Sequence, residues 1–96
     1  MAKALDEINR LIHEPARLLI MATLSVVEEA DFTFLMNQTG LTWGNLSSHI
    51  SKLEEAGYVA IQKKFVQKKP QSIATLTDSG RSAFDEYRNN MKDLLA

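Results

Sequence analysis

The 96 residues contain no cysteine, which rules out disulfides, thiolate metal sites and thiol redox sensing. Histidine is nearly as scarce: His13 and His49 stand alone, too few nitrogen ligands for a metal centre, so no metal and no cofactor is expected. No apolar run is long enough to span a membrane, and the first residues lack the pattern of a secretory signal. The expectation is a cytoplasmic protein with no membrane partner. No nucleophile–base pair, glycine-rich phosphate loop or cluster of metal ligands is visible, so an enzyme is not expected. Low-complexity segments and internal repeats are also missing.

Apolar residues make up 45% of the chain, enough for one globular domain with a thin core that dimerisation would help. The net charge of −1 says nothing for a polyanionic partner, but its distribution does. Residues 1–55 carry four basic and eight acidic groups. Residues 56–77 carry Lys63, Lys64, Lys68 and Lys69 and no acid.

Directly before that basic segment lies LTWGNLSSHISKLEEAG, residues 41–57, which predicts a helix with two unlike faces. Thr42 is a suitable N-cap and Gly57 a suitable stop. Leu46, Ile50 and Leu53 recur at helical spacing and point one way. Gly44, Ser47, Ser48, Ser51 and Lys52 point the other way, as a small, hydroxyl-rich face that can approach a surface closely. The DNA major groove is such a surface.

Around this helix the spacing predicts the rest. Leu5, Ile8, Leu11 and Ile12 suggest a helix over 2–12, interrupted at His13-Glu14-Pro15. Pro15 opens a second helix to about Val27, with Leu18, Leu19, Met21 and Leu24 for the core. Arg17 opposes the helix dipole there and needs a partner such as Glu14. Ala30–Phe32 reads as a short extended piece. Thr33 or Asp31 caps a brief helix over 34–39 that ends at Gly40, with Leu35 and Met36 buried. A tight turn then leads to the central helix, which makes a helix-turn-helix. Residues 58–65 and 71–77 predict an antiparallel hairpin, with 66–70 as a lysine-rich turn. Thr77 caps a last helix whose apolar stripe runs through Ala83, Phe84, Tyr87, Met91, Leu94 and Leu95. The fold class is mainly α with a small β-hairpin.

The strings IHEPARLLIMATL, LTWGNLSSHISKLEEAGYV and LTDSGR resemble the opening helix, recognition helix and final turn of MarR- and ArsR-like transcriptional regulators. The likeness covers about residues 12–88. It implies a single winged helix-turn-helix domain over 1–96 that binds double-stranded DNA as a homodimeric, sequence-specific regulator. Typical MarR-like proteins are longer, with extra terminal helices around a ligand pocket. This chain has little room for one, and no effector can be named.

The candidate DNA contacts on the recognition helix are Thr42, Trp43, Asn45, Ser47, Ser48, His49, Ser51 and Lys52. Asn can pair with adenine in two hydrogen bonds, whereas a lysine more readily holds a phosphate. Trp43 could instead pack on the preceding helix, and His49 could be structural or hold a phosphate. Lys63, Lys64, Gln67, Lys68 and Lys69 are the wing candidates. A solubilising hairpin would also carry lysines, though usually among acids. Residues 1–14 and 78–96 are the expected dimerisation helices, through Leu5, Ile8, Ile12, Phe84, Tyr87, Met91, Leu94 and Leu95. A protein–protein interaction module and a non-specific architectural DNA binder are the alternatives. An exposed apolar patch including Trp43 would favour a protein partner.

Overall fold

The computed structural model describes the backbone of residues 2–96 and the side chains from residue 5 onward. Helix α1 is shorter than the apolar spacing suggests, covering Ala2–Glu7 only. Asn9 ends it: its side-chain oxygen accepts from the N–H groups of Leu11 (3.1 Å) and Ile12 (3.2 Å). Asn competes with the backbone in this way and breaks helices. Its amide also donates to the Tyr58 hydroxyl at 2.9 Å, which fixes the turn to a residue 49 positions away. Ile12 is thereby delivered, fully buried, from a turn rather than from a helix.

Helix α2, Pro15–Val26, is capped by Glu14, whose carboxylate accepts from Ala16 N–H (2.6 Å) and Arg17 N–H (3.1 Å). Ile20, Met21 and Leu24 form its buried face, while Leu18 is half-buried. Leu19, expected in the core, is 48% exposed because it falls on the outer side of the turn between Leu18 and Ile20. Strand β1 is only Ala30–Asp31, and α3 covers Phe32–Thr39. Asp31 is its cap, accepting from Phe34 N–H at 2.7 Å, so the helix begins two residues earlier than a Thr33 cap would place it. Gly40 closes it at φ +75°, a conformation that costs glycine least. Leu35 is fully buried and Met36 partly so.

Helix α4, Trp43–Glu55, starts and stops where the caps indicate. Thr42 accepts from Asn45 N–H at 3.3 Å. At the other end Gly57 N–H donates to Glu54 (2.9 Å) and Tyr58 N–H to Leu53 (3.0 Å), with Gly57 at φ +80°. That pair of bonds is a Schellman ending. Leu46, Ile50 and Leu53 are buried against α2 and α3.

Strands β2 (Val59–Val66) and β3 (Lys69–Leu76) pair antiparallel from Val59↔Leu76 to Val66↔Lys69. β1 adds a third strand on the far side of β3, at Ala30↔Ala74 and Asp31↔Ile73, so the sheet order is β1-β3-β2. The turn is tighter than expected: only Gln67 (φ 52°) and Lys68 (φ 67°) lie outside the strands. Two residues with positive φ match the strand twist, as in a type I′ turn. Lys69 and Pro70 therefore belong to the ladder. Pro70 faces Phe65, one step from the closing pair, where alternation places a pair without hydrogen bonds. Proline loses nothing there.

Helix α5, Asp78–Leu95, begins on Thr77, which accepts from Gly80 N–H at 2.9 Å. The Thr77 hydroxyl also donates to the Gly57 carbonyl (2.6 Å), and Thr77 N–H to the Tyr58 carbonyl (3.0 Å). The end of α4, the start of β2 and the start of α5 are thus tied at one place. Gly80 is buried in it, and a Cβ there would fall on the Tyr58 carbonyl group.

Two glycine substitutions should have opposite signs. Gly80→Ala should cost about 1–3 kcal/mol, because backbone must move to make room. Gly44→Ala, in the first turn of α4 with nothing within 4 Å of the added methyl, should gain about 0.5–1 kcal/mol. Urea denaturation of both variants checks this.

Candidate nucleic-acid interface

Because Leu46, Ile50 and Leu53 are buried, the opposite side of α4 must face outward. Gly44, Asn45, Ser48, Ser51 and Lys52 are all exposed and fall within one stripe at 100° per residue. Thr42 is exposed at the head of the helix, with its hydroxyl committed to the cap. Ser47 is half-buried on the flank. Glu55 continues the stripe at the far end, about 10 Å beyond Ser48. The surface suited to a polyanion is therefore the N-terminal two-thirds of the helix.

Trp43 does two things. Its ring packs on Phe32 with centroids 5.1 Å apart, yet the residue remains 56% exposed. It walls a cleft of about 190 Å³ with Asp31, Phe32 and Thr33 on one side and Pro70, Gln71 and Ser72 on the other. That is below the roughly 300–1,000 Å³ of ordinary small-molecule sites. It is instead the gap between the recognition helix and the wing.

His49 is half-buried and engaged by its own chain. Its Nδ1 lies 3.0 Å from Arg17 Nη1, and its Nε2 is 4.0 Å from the Glu14 carboxylate. Arg17 Nε also donates to the Leu11 carbonyl at 2.6 Å. Glu14 thus holds the Arg17 backbone, while the guanidinium is held by Leu11 and His49. His49 works as a tether between α4 and the start of α2, which sequence spacing does not reveal. His13 likewise pairs with the Tyr87 hydroxyl at 2.8 Å.

The wing lysines divide by strand alternation. Lys63 shares a sheet face with Val59, Ile61 and Phe65, whereas Lys64 is on the other face, 3.0 Å from Glu29. Gln67 and Lys68 form the tip, and Lys69, opposite Val66, is exposed beside it. Phe65 was not among the residues singled out, yet it is 80% exposed between two pairs of lysines. The signal was available in the string KKFVQKK, where an apolar pair interrupts a basic, water-facing segment.

The expected dimer residues separate into two groups. Ile12 (0%), Phe84 (6%) and Tyr87 (6%) lie in the chain's own core and have no surface left for a partner. Leu5 (64%), Leu94 (42%) and Leu95 (79%) are exposed, and Ile8 and Met91 are half-buried.

A short helix, a tight turn, a second helix with a free polar face and a basic hairpin behind it define a winged helix-turn-helix. Residues 16–95 match the winged helix DNA-binding domain family, and the chain belongs to that family. An uncharacterized protein of Methanocaldococcus jannaschii is 35% identical over 78 residues, 81% of this chain and 85% of its own length. The structure of a transcriptional regulator homologue from Pyrococcus horikoshii superposes with a TM-score of 0.90 at 30% identity, covering 97% of this chain and 94% of that one. A MarR-family transcriptional regulator from Silicibacter pomeroyi shares the fold, with a TM-score of 0.70 at 21% identity, over 96% of this chain and 61% of its own. No helix among the described residues is long and apolar enough to cross a membrane.

The Glu14 cap yields a pH test. Burial alone would raise its carboxyl, but the Arg17 and Ala16 N–H groups, and the His49 and Arg17 charges, lower it below its ordinary 4.5. A folded-state pKa below the unfolded one gives stability that is complete above 4.5 and lost as pH falls through the folded value. Glu14→Gln should therefore lower stability by roughly 0.3–1 kcal/mol at neutral pH. The gap should close in acid, as read by denaturation at both pH values.

Proposed function

We propose that this chain is a homodimeric transcriptional regulator that reads duplex DNA with α4 and grips its backbone with the hairpin. The observation that carries the reading is the pairing of two surfaces on one side of the fold. One is the acid-free, hydroxyl-lined stripe from Gly44 to Lys52. The other is a hairpin with four lysines and no acid, separated from the first by the cleft at Trp43. Family membership and the transcriptional regulator homologue support the same conclusion.

The roles follow from side-chain chemistry. Asn45 and Ser48, exposed on the stripe, are the base readers, since an amide or hydroxyl reaches base edges in the major groove. Ser51 and Lys52 lie further along and hold backbone phosphates, as do Lys63, Lys68 and Lys69 on the wing. Each phosphate neutralised releases counterions, so affinity falls as salt rises. Leu5, Leu94 and Leu95, with Ile8 and Met91, form the dimer contact at the α1–α5 end. There the Asn90 amide donates to the Glu7 carbonyl at 3.2 Å and holds the two helices together. A two-fold dimer would present two α4 helices about one DNA turn apart.

One observation favours a second reading, a protein–protein module: Trp43 and Phe65 expose aromatic surface on the same side as the lysines. Selection of bound sites from a random duplex pool at two salt concentrations decides between them. A recovered inverted repeat supports the regulator. Failure to retain any duplex in dilute buffer overturns it.

Lys68→Glu with Lys69→Glu should weaken binding to every sequence and reduce the log–log salt slope by about 2. Asn45→Ala should instead change which base is preferred at one position per half-site, by about 1–3 kcal/mol. Equal losses on all sequences from both variants would remove this division of labour. For the dimer, Leu94→Glu with Leu95→Glu should give a folded monomer in analytical ultracentrifugation. A dimer that survives both changes places the contact elsewhere.

A further inference from the structure

Phe65 is the most exposed aromatic residue among the described side chains, at 80%. An exposed phenyl ring loses the benefit of burial, and a hairpin that only kept the protein soluble would gain nothing from it. Its surroundings are specific. Lys63 precedes it on the same sheet face and Lys68 lies at the tip, while Lys69, paired with Val66, alternates to the other face. Its cross-strand partner is Pro70, in the kind of pair where side chains lie closest. Pro70 and Ser72 share that face and line the cleft opposite Trp43, the first residue of α4. The face bearing Phe65 therefore borders the N-terminal end of α4. The opposite face carries Lys64 beside the Glu29 carboxylate, which disfavours a polyanion there.

We propose that Phe65 is an apolar wedge, carried by the hairpin into the minor groove next to the major groove that α4 reads, and pressed against a base step between phosphates held by Lys63 and Lys68. The occupant follows from charge complementarity: a ring set among cations, on the sheet face that borders the head of α4, suits an apolar seam inside a polyanion. The minor-groove floor at a loosely stacked step is such a seam, and apolar side chains unstack and kink DNA there. Pyrimidine–purine steps yield most easily, so Phe65 adds a preference for TA or CA/TG at a position where no hydrogen bond is read. The tight turn serves the same end. Gln67 and Lys68 hold positive φ without a glycine, which keeps Phe65 two residues from the tip instead of lost in a long loop.

This inference rests on the DNA-binding reading above, and the test separates the two. Duplexes recovered by the low-salt selection are prepared with 2-aminopurine placed in turn at each pyrimidine–purine step. Full-length wild-type, Phe65→Ala and Phe65→Leu proteins are titrated against each. The expected result is a severalfold fluorescence rise at one step per half-site with wild type, a partial rise with Phe65→Leu and none with Phe65→Ala. Phe65→Ala should also bind about tenfold more weakly, with its salt slope unchanged because no charge is lost. Circular dichroism confirms that both variants fold. Wild-type protein that binds but brightens no step overturns the wedge alone. So does Phe65→Ala with an unchanged signal, or self-association without DNA that Phe65→Ala abolishes. A wild-type protein that binds no duplex overturns the DNA-binding reading and the wedge with it.

Discussion

Leu46, Ile50 and Leu53 hold α4 by one side only, and the rest of the molecule depends on that asymmetry. Fully burying one such side chain is worth roughly 1.5–3 kcal/mol, more than any cap on the same helix. Rolling α4 by one residue would bury a serine or histidine and expose a leucine. The direction in which Asn45 and Ser48 point is therefore decided by the core, before any partner arrives. His49 adds a polar restraint on one flank through Arg17, and the Trp43–Phe32 contact adds an aromatic one at the head. A reading surface fixed in this way has little conformational entropy left to lose on binding.

The second constraint is the junction of Gly57, Tyr58, Thr77 and Gly80. Tyr58 ends the Schellman turn of α4, accepts from Thr77 through its carbonyl and leads into β2. Its hydroxyl accepts from Asn9, so the N-terminal turn is tied to the same residue. The hairpin and α5 cannot swing independently of α4 without breaking these bonds. The distance between α4 and the wing is thus a property of the fold. The close approach of Gly80 to Tyr58 also gives a steric reason for the glycine in LTDSGR.

What could be read from residues alone was whatever several local signals agreed on. In α4 the cap, the glycine stop and the apolar spacing coincide, and its boundaries were legible. Where one signal stood alone it misled. Leu5, Ile8, Leu11 and Ile12 keep helical spacing, but the Asn9 side chain takes the backbone N–H groups and its own restraint comes from distant Tyr58. The lysine-rich turn over 66–70 proved to be two residues long, and a pair without hydrogen bonds accommodates Pro70 inside the strand. Phe84 and Tyr87 looked like surplus apolar area, but both belong to the chain's own core. For the candidate interface, the outward stripe of α4 and the lysine hairpin were legible. The engagement of His49 by Arg17 and of Lys64 by Glu29 was not, since both partners lie more than thirty residues away in sequence.

A chain of net charge −1 can still take a polyanion if its charge is arranged to admit one orientation. At physiological salt, fields fade over about 8 Å, so the lysines at the hairpin tip act on what lies next to them and not through the acidic body. An approach from the side of Glu28 or Glu86 meets like charge on exposed residues, whereas Glu29 and Asp85 are paired with Lys64 and Arg88. An approach over the N-terminal two-thirds of α4 meets hydroxyls and an amide, then Lys52, then the wing. Repulsion elsewhere thus narrows the encounter to the face that the core has already aligned. That face includes Phe65 and excludes Lys64, because strand alternation puts them on opposite sides of one ribbon. A single-residue slip in the register of β2 against β3 would exchange them and bring an acid-paired lysine to the groove in place of an apolar ring. The tight Gln67-Lys68 turn fixes that register, and so sets whether the wing offers DNA a wedge or only a charge.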